Sequence, residues 1–274
     1  RVSRTIDLIR KGKPQPLYPQ TLLPPLYPQS VTPVDALQVQ ALALDSAMAL
    51  LHRVLNPSPQ SPQSIEMGCY TDIPLGGTNF MAHAHAAYRV ALAQKRDPKL
   101  RFIDVGCGGG MMVLLATEFF DRAEGYDYDP AYVAAAKRLM DQCGAESCRV
   151  FEDNALSFES YDAYDIIYFY QPMQDTDGLE TLEARIAQTA RPGTILIAPY
   201  LRFLRRAEAL NCGRIAGAVY VTGTSQPKAD LLRSEAERMG PQVAKPPQNP
   251  QPHAVEWLGR LAQACAANGY SVRI

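Results

Sequence analysis

The chain has 274 residues, 47% of them hydrophobic, which is enough to bury the core of one large domain or two small ones. Its 27 basic and 28 acidic side chains nearly cancel, and this excludes bulk attraction to nucleic acid or anionic membrane as the basis of function. The charge is uneven, because residues 101–199 carry a net −10 while both flanks are basic. No run approaches the roughly 18 apolar residues of a membrane span, so we expect a cytoplasmic protein.

Six cysteines spread over a chain of this length do not form the dense disulfide framework of small secreted proteins. The close pair, Cys143 and Cys148, has no second pair or nearby histidine to complete a zinc site. We therefore expect reduced thiols and no metal.

The first 77 residues predict a helical and proline-rich arm. Seven prolines fall within residues 14–33, a density that prevents helix and favours extended chain. This stretch repeats Leu-Tyr-Pro-Gln at 17–20 and 26–29, either as a docking motif for a partner or, as we favour, with both tyrosines anchoring the arm on its own domain. Apolar residues at steps of three and four predict a helix over 34–55. The arm has too little apolar surface for a separate core, so it must pack on the rest of the chain or on a second copy.

Residues 78–274 predict one α/β domain with a doubly wound, mostly parallel sheet, because strands alternate with helices. A helix over 78–95 comes first. Strands are predicted over 101–105, 123–127, 149–151, 165–170, 194–198, 218–222 and 270–274, and further helices over 111–120, 130–143, 179–190, 229–239 and 254–267.

The first of these strands runs into a glycine-rich turn, Asp104-Val-Gly-Cys-Gly-Gly-Gly110. Glycines in such a turn permit positive φ and let a ligand approach the backbone. The third glycine of a dinucleotide fingerprint would fall at position 111, which is Met111, and Asp104 places negative charge where a pyrophosphate would lie. The turn therefore disfavours a nicotinamide cofactor and suits a ligand that carries an ammonium group.

Two further carboxylates follow the next two predicted strands. Asp127 can accept hydrogen bonds from ribose hydroxyls, and Asp153, beside Asn154, can accept one from an adenine amine. Structural roles are also open, since Asp127 or Asp129 can cap the helix that begins at residue 130, and Asp153 can hold a turn.

Taken in order, these stretches resemble the class I, seven-strand S-adenosylmethionine-dependent methyltransferases. The resemblance covers about residues 100–198 and also includes 125–133, 164–170 and 191–197. It implies S-adenosylmethionine as the cofactor and an arm that roofs the pocket.

The resemblance also implies the following donor contacts. The methionine part would lie on Asp104 and the turn Gly106-Cys107-Gly108, the ribose on Asp127, the adenine edge on Asp153 and Asn154, the adenine ring on Tyr128, and the methionine carboxylate on Thr78.

Residues that follow the fourth strand normally meet the methyl acceptor in this family. Here they place Tyr170 and Gln171 as the catalytic candidates, whose oxygens can orient an amine lone pair, although Tyr168 and Tyr170 also alternate as in any buried strand. A weaker similarity to protein lysine methyltransferases, together with the acidic middle region, makes a protein amine the expected acceptor. The alternatives are transfer to an oxygen or nitrogen of a small metabolite, and a non-catalytic protein that binds an adenosine ligand. An oligomer is possible.

Overall fold

A computed structural model describes residues 17, 18, 45–47, 49, 52, 60–72, 75–97 and 99–239. Of the helix predicted over 34–55, residues 45–47, 49 and 52 are described and are helical. The helix predicted over 254–267 and the strand predicted over 270–274 lie outside the described residues.

Seven strands form one sheet in the order β3-β2-β1-β4-β5-β7-β6. The first five are parallel to their neighbours, and β7 is antiparallel to both β5 and β6. This confirms the doubly wound, mostly parallel sheet. The strands are β1 (Arg101–Val105), β2 (Arg122–Asp127), β3 (Cys148–Glu152), β4 (Ile166–Phe169), β5 (Ile195–Ile197), β6 (Cys212–Ala216) and β7 (Val219–Thr222).

Helices cover both faces of the sheet because alternate residues of its buried strands point to opposite sides. In β1, for example, Phe102 enters one core cluster with α2, α3, α4 and α7, whereas Ile103 enters a second cluster with α5 and α6. The helices are α1 (Pro62–Glu66), α2 (Gly77–Ala93), α3 (Met111–Ala116), α4 (Pro130–Cys143), α5 (Thr176–Thr189), α6 (Leu201–Arg206) and α7 (Gln226–Arg238), with a short 3-10 helix at Ser160–Ala163. In the part of the chain that the structure describes, none of these helices combines the length and apolarity needed to cross a membrane.

Two elements, β6 and α6, were not predicted from the sequence. β6 is an edge strand that contains Gly213 and an exposed Arg214, so it lacks the apolar alternation of a buried strand. The helix predicted over 111–120 is also shorter, since it ends at Ala116 and the hydroxyl of Thr117 donates to the carbonyl of Leu114.

α4 shows how local sequence fixes the edge of the sheet where β2 ends. Asp129 caps the helix by accepting from the N–H of Ala131 at 2.9 Å, and Pro130 fits the first turn, where its missing N–H costs nothing. Gly144 ends the helix in the left-handed conformation, with φ of 59°. The short link from β2 to α4 thereby holds Asp127 at the carboxyl end of its strand.

Candidate active site

A cavity of about 420 Å³ lies at the carboxyl ends of β1 to β4. The strand order reverses between β1 and β4, and doubly wound folds bind ligands in the crevice at this point. The structure brings ten of the eleven predicted site residues to the cavity wall: Asp104, Gly106, Cys107, Gly108, Asp127, Tyr128, Asp153, Asn154, Tyr170 and Gln171.

The glycine-rich turn forms the floor of the cavity and is tied to β2. The N–H groups of Gly106 and Cys107 both donate to the carbonyl of Tyr126, at 3.0 and 2.9 Å. Gly106 and Gly108 have φ of +78° and +50°, which side chains disfavour. A Cβ at Gly108 would lie 2.4 Å from Oδ1 of Asp72, so the turn has room for glycine alone at this position.

The Cys107 side chain points away from a catalytic role. It is buried, and a Cβ on Gly125 of β2 would come within 2.9 Å of its Cβ. Burial, and then the charge of Asp104, raise the pKa of the thiol well above its usual range. The thiol therefore stays protonated and packs between the turn and β2.

Asp104 is the most unusual group in the cavity. Its side chain is 2% exposed, and within the described residues no hydrogen bond or ion pair reaches its carboxylate. Burial, followed by the charges of Asp127 and Asp72, raises its pKa well above the usual range. A buried carboxylate without a partner costs free energy, so this position favours a cationic ligand.

Asp127 faces the same cavity and accepts hydrogen bonds from the backbone N–H groups of Gly108 and Asp129, at 2.8 and 2.9 Å. Burial raises its pKa to about 6, although these two hydrogen bonds oppose the shift. The helix-capping role that the sequence left open belongs to Asp129, which accepts from Ser61 and Ala131.

The raised pKa of Asp127 predicts a pH dependence for ligand binding. Because the ionised carboxylate is the form that accepts two ribose hydroxyls, affinity for S-adenosylhomocysteine should fall as the pH drops below about 6, approaching tenfold per unit. An ordinary aspartate would hold its affinity down to about pH 4. Calorimetry from pH 5 to 7.5 measures this, and Asp127→Asn is the control that should flatten this part of the profile.

Asp153 and Asn154 line the cavity and also hold their own turn. Oδ1 of Asp153 accepts from the N–H of Asn154 at 2.7 Å, and Oδ1 of Asn154 accepts from the N–H of Leu156 at 2.9 Å. The neighbouring Tyr128 accepts a hydrogen bond from Gln63 of the arm at its hydroxyl. The turn-holding role is thus present, and a role in binding the adenine stays a prediction.

The arm supplies one wall of the cavity through residues 67, 69–72 and 75. Asp72 is the functional candidate that the sequence analysis missed: its Oδ2 accepts from the N–H of Gly109 at 2.8 Å and lies 3.0 Å from Nε2 of His52. Its own N–H donates to the hydroxyl of Tyr132. No motif marks Asp72, and the expected roofing of the pocket by the arm was the one available signal.

A short bridge joins the arm to the loop after β4. Cys69 and Met173 pair as an antiparallel bridge, and the N–H of Gln174 donates to the carbonyl of Gly68 at 2.9 Å. Gln171 adopts a left-handed φ of 46°, and its amide donates to the hydroxyl of Tyr70 at 3.1 Å. The candidate acceptor side of the cavity is therefore built jointly by the arm and by this loop.

The structure places Thr78 elsewhere. Its N–H and its hydroxyl both donate to the carboxylate of Asp45, at 2.8 and 2.6 Å, and Thr78 is not part of the cavity wall. The N-terminus of α2 thus already holds a carboxylate of this chain, and its cap residue is Gly76.

Comparisons with known proteins were made on this background. Residues 102–193 match the family described as "Methyltransferase domain". No curated protein matches the chain.

Three similar solved structures illustrate the range. They are the YcgJ protein from Bacillus subtilis (18% identity, 50% of that chain and 42% of this one, TM-score 0.33), CalS10, an amino pentose methyltransferase from Micromonospora echinaspora (20%, 49% and 43%, 0.36), and a TehB-like SAM-dependent methyltransferase from Corynebacterium glutamicum (16%, 85% and 49%, 0.37). The chain thus covers about half the length of the first two.

The family match begins within β1 and ends just before β5, so it includes the glycine-rich turn and the carboxylates of Asp104, Asp127 and Asp153. The sheet around it has the seven strands, mostly parallel, that the motifs predicted. Residues 102–193 therefore belong to the class I S-adenosylmethionine-dependent methyltransferase family.

Proposed function

We propose that the chain binds S-adenosylmethionine in this cavity and methylates an amine, with the lysine side chain of a protein as the acceptor. The observation that carries the proposal is the buried, unpaired carboxylate of Asp104, which is stabilised by a cation and is matched by the α-ammonium group of the donor. The cavity also has carboxylate oxygens of Asp127 for a ribose and the turn at Asp153 for an adenine edge.

The charge of the cavity supports a cationic ligand and opposes an anionic one. Among the described residues that line it, none is Lys or Arg, whereas Asp72, Asp104, Asp127 and Asp153 all contribute to its wall. Phosphate groups, whether of a dinucleotide or of a nucleic-acid backbone, would therefore meet like charge without a compensating partner.

The acceptor side is aromatic. The side chains of Tyr70, Tyr168 and Tyr170 line it together with Gln171, and aromatic faces attract ammonium groups. Burial, followed by the charge of Asp104, raises the pKa of Tyr168 well above its usual range, so this phenol remains a hydrogen-bonding group and does not act as a base.

S-adenosylmethionine, when bound, supplies a methyl group that its sulfonium activates towards nucleophiles. The residues of this chain then have three tasks: to hold the donor, to orient the acceptor nitrogen and to exclude water. Tyr170 and Gln171 are the proposed orienting groups, and the arm residues 67–72 exclude water from the acceptor side.

Donor binding is tested first, because it does not require the acceptor. Calorimetry should show binding of S-adenosylmethionine and S-adenosylhomocysteine, and no competition by NADP. Binding of NADP alone would contradict the assignment of the cavity.

Transfer is tested with methyl-labelled donor and two acceptor pools, lysine-containing peptides and small-molecule amines and phenols. Label in peptides, released as methyl-lysine on hydrolysis, is the expected result. Label confined to small molecules favours the metabolite alternative, and donor binding without transfer to any pool or to lysate favours the non-catalytic one. Gln171→Ala should bind the donor as the unaltered protein does and transfer more slowly.

A further inference from the structure

A second built site lies on the other side of the domain from the donor turn, and it holds the first Leu-Tyr-Pro-Gln copy. Leu17 and Tyr18 are 3% and 7% exposed there. The Tyr18 hydroxyl lies 2.9 Å from Nδ1 of His83 on α2, and the two rings meet edge to face with centroids 5.4 Å apart. None of these residues lines the active-site cavity.

The site is shaped for a tyrosine ring. Gly217, in the turn between β6 and β7, has φ of +54°, and a Cβ there would lie 2.7 Å from Cζ of Tyr18. Burial lowers the pKa of His83 to about 4, so its imidazole is neutral at physiological pH and can share a hydrogen bond with a phenol. Leu17 joins the same core cluster as Tyr18.

Space for more peptide continues beside the tyrosine. A cleft of about 370 Å³ runs between the β6–β7 hairpin and α7. Leu17, Tyr18 and the side chains of Arg214, Gln226, Asp230, Arg233 and Glu237 line it. Its mixed charges suit the backbone and the amide side chain of a Pro-Gln dipeptide, which are polar and neutral.

We propose that this cleft is a recognition site for the tetrapeptide Leu-Tyr-Pro-Gln and that residues 26–29 bind it in exchange with residues 17–20. The two copies have the same four residues, so every contact made by Leu17 and Tyr18 is available to Leu26 and Tyr27. Both copies are tethered to the site they compete for, and a short tether gives an effective concentration in the range of about 1 mM. Exchange changes the attachment of the arm by nine residues.

His83 reports occupancy of the site. Diethyl pyrocarbonate modifies neutral, accessible imidazoles, and His83 is 6% exposed with Tyr18 in place. His85, which is partly exposed on the same helix and stacks on Phe119, is the internal reference. The rates at both residues are measured by peptide mass spectrometry in the full chain and in Tyr18→Ala, Tyr27→Ala and the double variant.

If the copies exchange, Tyr18→Ala should keep His83 protected to within about threefold, because the second copy replaces the first, and Tyr27→Ala should behave as the unaltered chain. The double variant should react at least about tenfold faster at His83 and equally at His85. A free Leu-Tyr-Pro-Gln peptide should restore its protection, whereas Leu-Ala-Pro-Gln should not. Equal reactivity of Tyr18→Ala and the double variant would overturn the proposal.

A second measurement does not depend on removing a tyrosine anchor. A photo-crosslinking phenylalanine in place of Tyr27 should join residue 27 to peptides that contain residue 83 or 217 within one chain. Crosslinks only between two chains would show that a second copy fills the site, and crosslinks to other parts of the domain would show that the second repeat binds elsewhere. Either result would reject the intrachain exchange.

Discussion

Asp104→Asn will raise the melting temperature of the donor-free protein and weaken donor binding at the same time. The carboxylate is buried without a described partner and faces the charges of Asp127 and Asp72. Whether it is ionised or takes up a proton, the folded state pays a penalty that a neutral amide avoids. We expect a gain of roughly 1–3 kcal/mol, or roughly 3–10 °C, for the donor-free protein.

The pH profile of that gain separates charge from packing. The folded-state pKa of Asp104 is raised above its unfolded value of about 3.9, so stability is lost as the pH rises through the window between the two. The advantage of Asp104→Asn should therefore be small near pH 4 and larger at pH 7.5. Thermal unfolding at both values measures it, with Asp141→Asn, an exposed carboxylate on α4, as the matched control.

Donor affinity should move in the opposite direction in the same variant. Loss of the charge-assisted contact to the donor ammonium should cost roughly 1.5–3 kcal/mol, which is about tenfold to a hundredfold in Kd. A variant that is stabilised and still binds S-adenosylhomocysteine normally would show that Asp104 does not contact the ammonium, and the proposed function would lose the observation that carries it.

The sequence predicted the parts of the site that depend on local pattern. A strand that runs into a glycine-rich turn, with a carboxylate at the end of the next strand, already fixes which side chains meet at one edge of a parallel sheet. Asp104 and Asp127 therefore appear where the motifs placed them. The edge strand β6 was missed because Gly213 and Arg214 obscure its pattern and its pairing with β7 is a tertiary contact.

The arm shows where sequence reasoning stops. Asp72 reaches the N–H of Gly109, and Asp45 reaches Thr78 at the N-terminus of α2, across 37 and 33 residues respectively. Such contacts depend on how the arm lies against the domain, which no local periodicity records. The expected contact of Thr78 with the donor carboxylate rested on an open helix end, and the structure shows that Asp45 already occupies it.

Gly108→Val should abolish detectable donor binding while the domain remains folded. The backbone at Gly108 is left-handed, with φ of +50°, and a non-glycine residue there costs roughly 1–2 kcal/mol. Its Cβ would overlap Oδ1 of Asp72 at 2.4 Å, and its N–H holds Oδ2 of Asp127 at 2.8 Å. A branched side chain therefore fills the floor of the cavity and displaces both carboxylates, for an expected loss of more than about a hundredfold in affinity.

Gly144→Val is the matched control for this variant, because Gly144 has a similar φ of 59° at the end of α4 and does not line the cavity. It should carry a comparable backbone strain and lower the melting temperature by a similar few degrees, about 2–4 °C per kcal/mol for a domain of this size. Its affinity for S-adenosylhomocysteine should stay within about threefold of the unaltered protein, since strain alone does not fill the site. Calorimetry on both variants, after circular dichroism has confirmed that each is folded, decides the matter: normal binding by Gly108→Val would mean that the glycines serve the turn alone and that the donor lies elsewhere.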